Sequence, residues 1–290
     1  MQQFNTATTN IDEVSPLEMV RIFNREDKKV ALAVEDCGQS VAMAVEAATE
    51  ALQGGGRLIY IGSGTPGKMG VIDASECPPT FGVNDNTVIG IISGGTDAVV
   101  GWCEDTEDNE HLAIIDLAAK KFSAEDILVC VSASGNTPYV LAAAAYARKL
   151  GAKTVGLCCS PGGKLEKVVD ISITVDVGPE VIMGSTRLKA GTAQKMVLNI
   201  ISSCAMIRLG KTYGNLMVDV LPLNDKLKRR VVEIVQIACE CDERTARKAL
   251  AKANNNAKTA IVMLLKGLEA EAAQHCLAQH DGYVKKALKG

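Results

Sequence analysis

Three stretches of this chain carry side chains suited to chemistry. The first holds Glu76, followed at once by Cys77-Pro78-Pro79. A double proline cannot continue a helix and forces extended backbone before it. The spacing therefore predicts Glu76 at a helix end or on a rigid loop, aimed as a general acid or base. The second stretch holds Glu104, Asp105, Glu107 and Asp108. Such a run is ordinarily a solvated helix face, but this one begins just past a strand and close to the other motifs. The third is Ser132-Ala133-Ser134-Gly135-Asn136-Thr137-Pro138, at the joint between an apolar run and an Ala-rich helix. One hydroxyl suffices for an N-cap. Three of them, beside the unpaired N–H groups and partial positive charge of a helix start, can bind a phosphate without a lysine. The histidines are His111, His275 and His280. Two lie near the C-terminus and His111 sits in a polar, exposed context, so carboxylates are the better candidates for proton transfer.

The elements that must position these groups read as alternating strands and helices. Leu58–Ile61 is a short apolar run that stops at Gly62, Gly64 and Gly67, a glycine loop able to gather backbone N–H groups around a ligand. The loop matches G-x-G-x-x-G, but Pro78-Pro79 cut the following helix short. The next strand, Thr87–Ile92, ends in Ser93-Gly94-Gly95 rather than the acid that a dinucleotide site wants. Further strands are expected at 127–131, 153–158 and 171–177. A helix is expected over 139–150, and a long one capped by Ser185 and running to Leu209. This order predicts an α/β doubly wound parallel sheet. Ser15-Pro16 opens an N-terminal helical segment that breaks over 24–29 and ends at Gly54-Gly55-Gly56, and residues 1–10 read as a mobile arm. After Asn224 the chain is helical, with a module of three or four short helices from Cys241. The expected division is 1–53, a helical segment; 54–222, the α/β domain; and 223–290, a helical module.

Composition narrows the function. The chain has 290 residues, 47% hydrophobic but 3% aromatic, so its core is aliphatic. A net charge of −3 with no basic stripe argues against nucleic acid. No apolar run reaches the length of a membrane span, and the start lacks the pattern of a signal peptide. Ten cysteines without C-x-x-C spacing read as reduced, buried thiols rather than a metal site, in a cytoplasmic protein.

The motifs DASECPPTFG, SASGNTPYV, GSTRLKAGTAQK and GNLMVDV together resemble the N-acetylmuramic acid 6-phosphate etherases, members of the sugar isomerase (SIS) superfamily. The resemblance runs from about Ile11 to the C-terminus. It implies a SIS-type five-stranded parallel sheet flanked by helices, a homodimer, and no metal or cofactor. The reaction it implies is cleavage of the D-lactyl ether of N-acetylmuramic acid 6-phosphate. It maps the proton donor onto Glu76 and, through an E-x-x-E-D pattern, a second catalytic glutamate onto Glu107. It further implies sugar-phosphate contacts from Gly64, Thr65, Ser132, Ser134, Gly135, Asn136, Thr137, Glu180, Ser185 and Lys189. The chain departs from the family at Pro66 and Lys68, where a serine and an arginine are usual, at Asn136, where many members have arginine, and in its shortened opening Gln2-Gln3-Phe4-Asn5. A sugar-phosphate sensor and an aldose–ketose isomerase are the alternatives. Retention of both glutamates favours the etherase over a sensor, which needs neither.

Overall fold

Five apolar runs pair as one parallel sheet. The computed structural model describes residues 4–101, 106–222 and 224–290. By contact the chain groups into two compact units. The first holds the residues up to Ser75 with Asn86–Ser202, and the second holds Glu76–Asp85 with Ser203–Gly290.

The chain opens with α1 (Pro16–Asp36) and α2 (Gly38–Gln53). It continues through β1 (Leu58–Gly62), α3 (Gly64–Phe81), β2 (Val88–Ile92), α4 (Gly95–Val100), α5 (Glu110–Ala119), β3 (Ile127–Val131), α6 (Pro138–Leu150), β4 (Lys153–Cys158), β5 (Ile171–Thr174) and α7 (Lys189–Arg208). The strand order is β2-β1-β3-β4-β5, all parallel. Ile61 pairs with Ile91 on one side and Cys130 on the other. β1 and β3 are neighbours whose connections leave in opposite directions, so the sheet has its switch point at their carboxyl ends, where open α/β sheets bind ligands. The expected doubly wound five-stranded sheet is therefore present.

Side chains alternate across the sheet. Ile59, Ile61, Leu128 and Cys130 pack with Ala113 and Leu117 of α5 and with Tyr139, Ala143 and Ala147 of α6. Tyr60 points to the other face, where its hydroxyl donates to Asp73 at 2.8 Å. Asp73 is also bonded by Asn199 and, at 3.1 Å, by Ser202, so α3 and α7 are joined by a buried polar cluster.

Three local expectations are corrected. α1 does not break over 24–29: the polar run Asn24–Lys29 stays helical, with Glu26 facing inward and 3% exposed. The break falls instead at Cys37. β5 ends at Thr174 because β4, its one neighbour, ends at Cys158: the last bond runs from Val175 N–H to Cys158 O at 2.9 Å. The described part of the N-terminal arm is docked. Asn5 and Thr8 are buried, and they bond the carbonyls of Pro179 and Val181 at 3.3 and 2.9 Å.

The second unit carries α8 (Asp225–Cys239), α9 (Glu243–Lys252), α10 (Ala257–Lys266), α11 (Ala270–Ala278) and α12 (Val284–Lys289). Asn224, Asp242 and Asn256 cap α8, α9 and α10 through side-chain oxygens. Val235, Leu250, Ile261, Val262 and Val284 form its core.

Candidate functional site

Gly62 to Gly67 is not a loop. β1 ends at Gly62, Ser63 alone makes the turn, and Gly64, Thr65, Pro66 and Gly67 already form the first turn of α3. The glycine spacing serves a close crossing: a Cβ on Gly62 would lie 2.7 Å from the nitrogen of Gly67, and one on Gly67 would lie 2.7 Å from the carbonyl oxygen of Gly62. Pro66 costs nothing there, because first-turn N–H groups have no helical partner. Gly64 is exposed and Thr65 half-buried, at a helix start beside the switch point.

α3 also runs through Pro78 and Pro79 to Phe81, so Glu76 lies within a helix rather than at its end or on a loop. The prolines withdraw the helical donors for the carbonyls of Ala74 and Ser75, and the helix closes with Gly82 N–H donating to Pro78 O at 2.9 Å. The Glu76 side chain is exposed.

The β3–α6 turn forms the centre of the first unit's polar site. Ser132 is 1% exposed; its Oγ accepts from Gly135 N at 3.1 Å and meets Thr137 Oγ1 at 2.9 Å. Thr137 is the N-cap residue of α6 by position, but its side chain makes no capping bond. The Asn136 amide is committed to the turn itself, donating to Ser134 O at 2.9 Å and accepting from Lys164 N at 3.2 Å. Gly135 has φ +67°, and a Cβ there would lie 2.9 Å from Cys158 Sγ. Ser134 and Asn136 are exposed and line a cavity of about 270 Å³ together with Asp176, Glu180, Gly184, Thr186 and Ala190.

Glu107 is brought to this turn by its backbone. Its carbonyl accepts the N–H of Tyr139, in the first turn of α6, at 3.0 Å. The preceding residue is held from the other side by a hydroxyl chain that the sequence did not announce. Ser63 Oγ lies 2.6 Å from Ser93 Oγ, which lies 3.0 Å from Thr106 Oγ1. The chain ties the ends of β1 and β2 to the segment bearing Glu107. The only sequence signal was a serine immediately after each strand. The Glu107 side chain is exposed. Glu104 and Asp105 of the same acidic run lie outside the described residues.

The start of α7 is built differently from the expectation. Ser185 does not cap it: the helix begins at Lys189, and Glu180 takes the capping role, accepting from the backbone N–H groups of Lys189 and Ala190 at 2.9 and 3.0 Å. Lys189 is fully buried, and its Nζ donates to Glu26 Oε2 at 2.8 Å. Its ammonium is thus sealed inside and does not face the cavity. Burial would raise the Glu26 carboxyl, but the bonds from Lys189 and Lys29 outweigh it and hold it down at about 2. Burial pushes the Cys158 thiol up to about 12 and Cys159 higher still, so neither thiol at the back of the site is a nucleophile.

Among the described residues no group of three or more His, Cys, Asp or Glu side chains is arranged to hold a metal, and no helix is long and apolar enough to cross a membrane.

Comparison with known proteins places this geometry. A model of the glucokinase regulatory protein N-terminal SIS domain matches residues 22–148, and a SIS domain model matches residues 113–202. The chain is 48% identical over 287 residues to an N-acetylmuramic acid 6-phosphate etherase from Actinobacillus pleuropneumoniae serotype 5b (strain L20), covering 99% of this chain and 94% of that one. It is 49% identical over 285 residues to the protein of the same name from Escherichia coli O1:K1 / APEC, covering 98% and 96%. A solved phosphoheptose isomerase from Francisella tularensis shares the fold, with a TM-score of 0.52 and 16% identity over 67% of this chain and all of that one.

Proposed function

We propose a carbon–oxygen lyase reaction from one premise: the chain belongs to the N-acetylmuramic acid 6-phosphate etherase family. The substrate is N-acetylmuramic acid 6-phosphate. The products are N-acetylglucosamine 6-phosphate and D-lactate, and the role is recycling of cell-wall sugar in the cytoplasm.

The phosphate is held by Ser134, Thr137 and the start of α6, with Ser132, Gly135 and Asn136 keeping the turn in shape. Gly64, Thr65 and Ser185 complete the substrate contacts. The reaction then needs a base and an acid. In the open-chain sugar the proton on carbon 2 is acidic because its loss delocalises charge into the aldehyde. Glu107 takes that proton. The bond from carbon 3 to the lactyl oxygen breaks, a carbon 2–carbon 3 double bond forms, and Glu76 protonates the departing oxygen so that lactate leaves as its hydroxyl form. Water then adds its oxygen to carbon 3 while carbon 2 regains a proton, with the two carboxyl groups exchanging roles. Groups of this kind each contribute on the order of a hundred- to ten-thousand-fold.

The observation that carries the reading is the bond from Tyr139 N–H to the Glu107 carbonyl, which fixes a carboxylate-bearing residue against the helix start that would hold the phosphate. Incubation of the purified chain with N-acetylmuramic acid 6-phosphate should release D-lactate stoichiometrically with N-acetylglucosamine 6-phosphate. A folded chain that binds the sugar phosphate without releasing lactate would be a sensor instead.

The working form in this proposal is a homodimer. Ile182 and Met183, beside the cavity wall, and Leu17 and Val20 on α1 are exposed apolar side chains consistent with a subunit contact. Light scattering at assay concentration should give twice the chain mass of 30.6 kDa, and an active monomer would overturn it.

A further inference from the structure

The buried pair Glu26–Lys189 has no part in the proposed chemistry, yet it sits behind one wall of the cavity. Between the end of β5 at Thr174 and the start of α7 at Lys189 the chain has no regular secondary structure. Its own backbone closes local turns, Ser185 N–H to Ile182 O at 3.0 Å, Thr186 N–H to Gly184 O at 3.2 Å and Leu188 N–H to Ser185 O at 3.3 Å, and Glu180, Gly184 and Thr186 of this loop line the same cavity as Ser134 and Asn136. The loop as a whole is tied to the rest of the unit from outside. Asn5 donates to Pro179 O, Thr8 donates to Val181 O, and Glu26 holds the Lys189 ammonium at 2.8 Å. All three come from the N-terminal segment and α1. Within the loop, Glu180 ties the backbone of Lys189 and Ala190 to itself. Lys189 is thus held at both ends, by backbone to the cavity wall and by side chain to α1. Two residues on, Gly191 approaches the Thr65 methyl, which a Cβ there would meet at 3.2 Å.

A buried ion pair is a weak source of net stability, because desolvation offsets most of the attraction, but it demands one geometry. Glu26 is 3% exposed and its second oxygen accepts from Lys29 at 2.6 Å, so the carboxylate is fixed from two sides. We propose that Glu26 is a positioning residue for the sugar-phosphate site: through Lys189 it sets the start of α7, and with it the Glu180–Thr186 wall of the cavity. This rests on the reading that the cavity and the adjoining β3–α6 turn bind sugar phosphate.

Two variants test it. Glu26→Gln leaves the Lys189 charge uncompensated. Glu26→Leu combined with Lys189→Met replaces the pair by apolar groups of similar size, an exchange that commonly preserves stability. Binding of N-acetylglucosamine 6-phosphate is measured by calorimetry, with lactate release and thermal melts alongside. Both variants should bind the sugar phosphate roughly tenfold more weakly or worse, the size of one misplaced polar contact. KM should rise in parallel, and kcat should stay within about threefold, the pattern of lost ground-state binding. The double variant should melt with the wild type. Unchanged binding in the double variant would overturn the proposal and leave the pair a purely structural role. So would loss of cooperative melting in both variants, which assigns the pair to the fold. Weakened binding in a protein whose wild type releases no lactate would keep the positioning role and remove the lyase reading, so the two can fail separately.

Discussion

The main-chain carbonyl of Glu107 accepts the N–H of Tyr139 at 3.0 Å. That N–H belongs to the first turn of α6, whose donors lack helical partners. One unpaired helix donor thereby anchors an exposed acidic segment to the same helix start that the hydroxyl turn opens. The anchor is backbone to backbone, so it survives substitution of the Glu107 side chain and makes that substitution a clean probe of chemistry.

The two glutamates should fail differently. Glu76→Gln keeps a base, so exchange of the carbon 2 proton with heavy water should persist while lactate release falls by roughly a hundredfold or more. Glu107→Gln lacks the base, so exchange and lactate release should fall together. NMR of the exchange beside a lactate assay decides. Wild-type rates in Glu107→Gln would return that residue to the solvated surface, and exchange lost only in Glu76→Gln would reverse the roles.

Ser134→Ala and Thr137→Val should each weaken sugar-phosphate binding by about 1.5–3 kcal/mol, the worth of a hydrogen bond to a charged group. Ser134 is exposed and spends its Oγ only locally, accepting from Asn136 N at 3.2 Å. Its loss should therefore leave the melting temperature nearly unchanged. Unchanged calorimetric affinity in both variants would mean that the turn is no more than a helix start.

Ser93→Ala cuts the hydroxyl chain from Ser63 to Thr106. The Ser63 hydroxyl is left buried without that partner, which should cost about 1–3 kcal/mol of stability. If the chain also orients the Glu107 segment, kcat and carbon 2 exchange should fall together while KM holds. A stability loss with unaltered kcat would limit the chain to holding β1 and β2.

Stability should fall in acid partly through Glu26. Its folded carboxyl is held down at about 2, below the 4.5 of the free group. A depressed carboxyl contributes stability in full above its unfolded value and loses it as the pH falls through the folded one. The contribution should therefore be complete at neutral pH and disappear between about pH 4.5 and 2. Glu26→Gln, compared with wild type by chemical unfolding, should show a difference that shrinks across that window. A difference independent of pH there would show that the carboxylate is not held by Lys189.

Several features were legible in the order of residues. Val88–Ile92, Ile127–Val131 and Lys153–Cys158 form strands where their apolar runs placed them, because strands of a parallel sheet are covered on both faces and carry unbroken hydrophobic sequence. Ser15 caps the helix it precedes, since a cap is decided within three residues. The family, too, was readable from motif order alone.

What the sequence could not decide are matters of distance along the chain. Lys189 read as a cation at the mouth of a site, yet its partner is Glu26, 163 residues away, and the pairing turns it inward. The polar run Asn24–Lys29 read as a break because charge usually marks solvent, but Glu26 needed the interior position that only continuous helix supplies. Ser185 had the local signature of a cap, and a carboxylate five residues earlier, Glu180, took its place once the loop folded back. The glycines after β1 read as an open loop, yet Gly62 and Gly67 form a backbone crossing and Gly64 already lies in the first turn of a helix. Local pattern reports which backbone a segment prefers and which face it hides. Which buried charge meets which, and whether a glycine serves a ligand or a neighbouring strand, is fixed only when segments far apart in sequence compete for the same space.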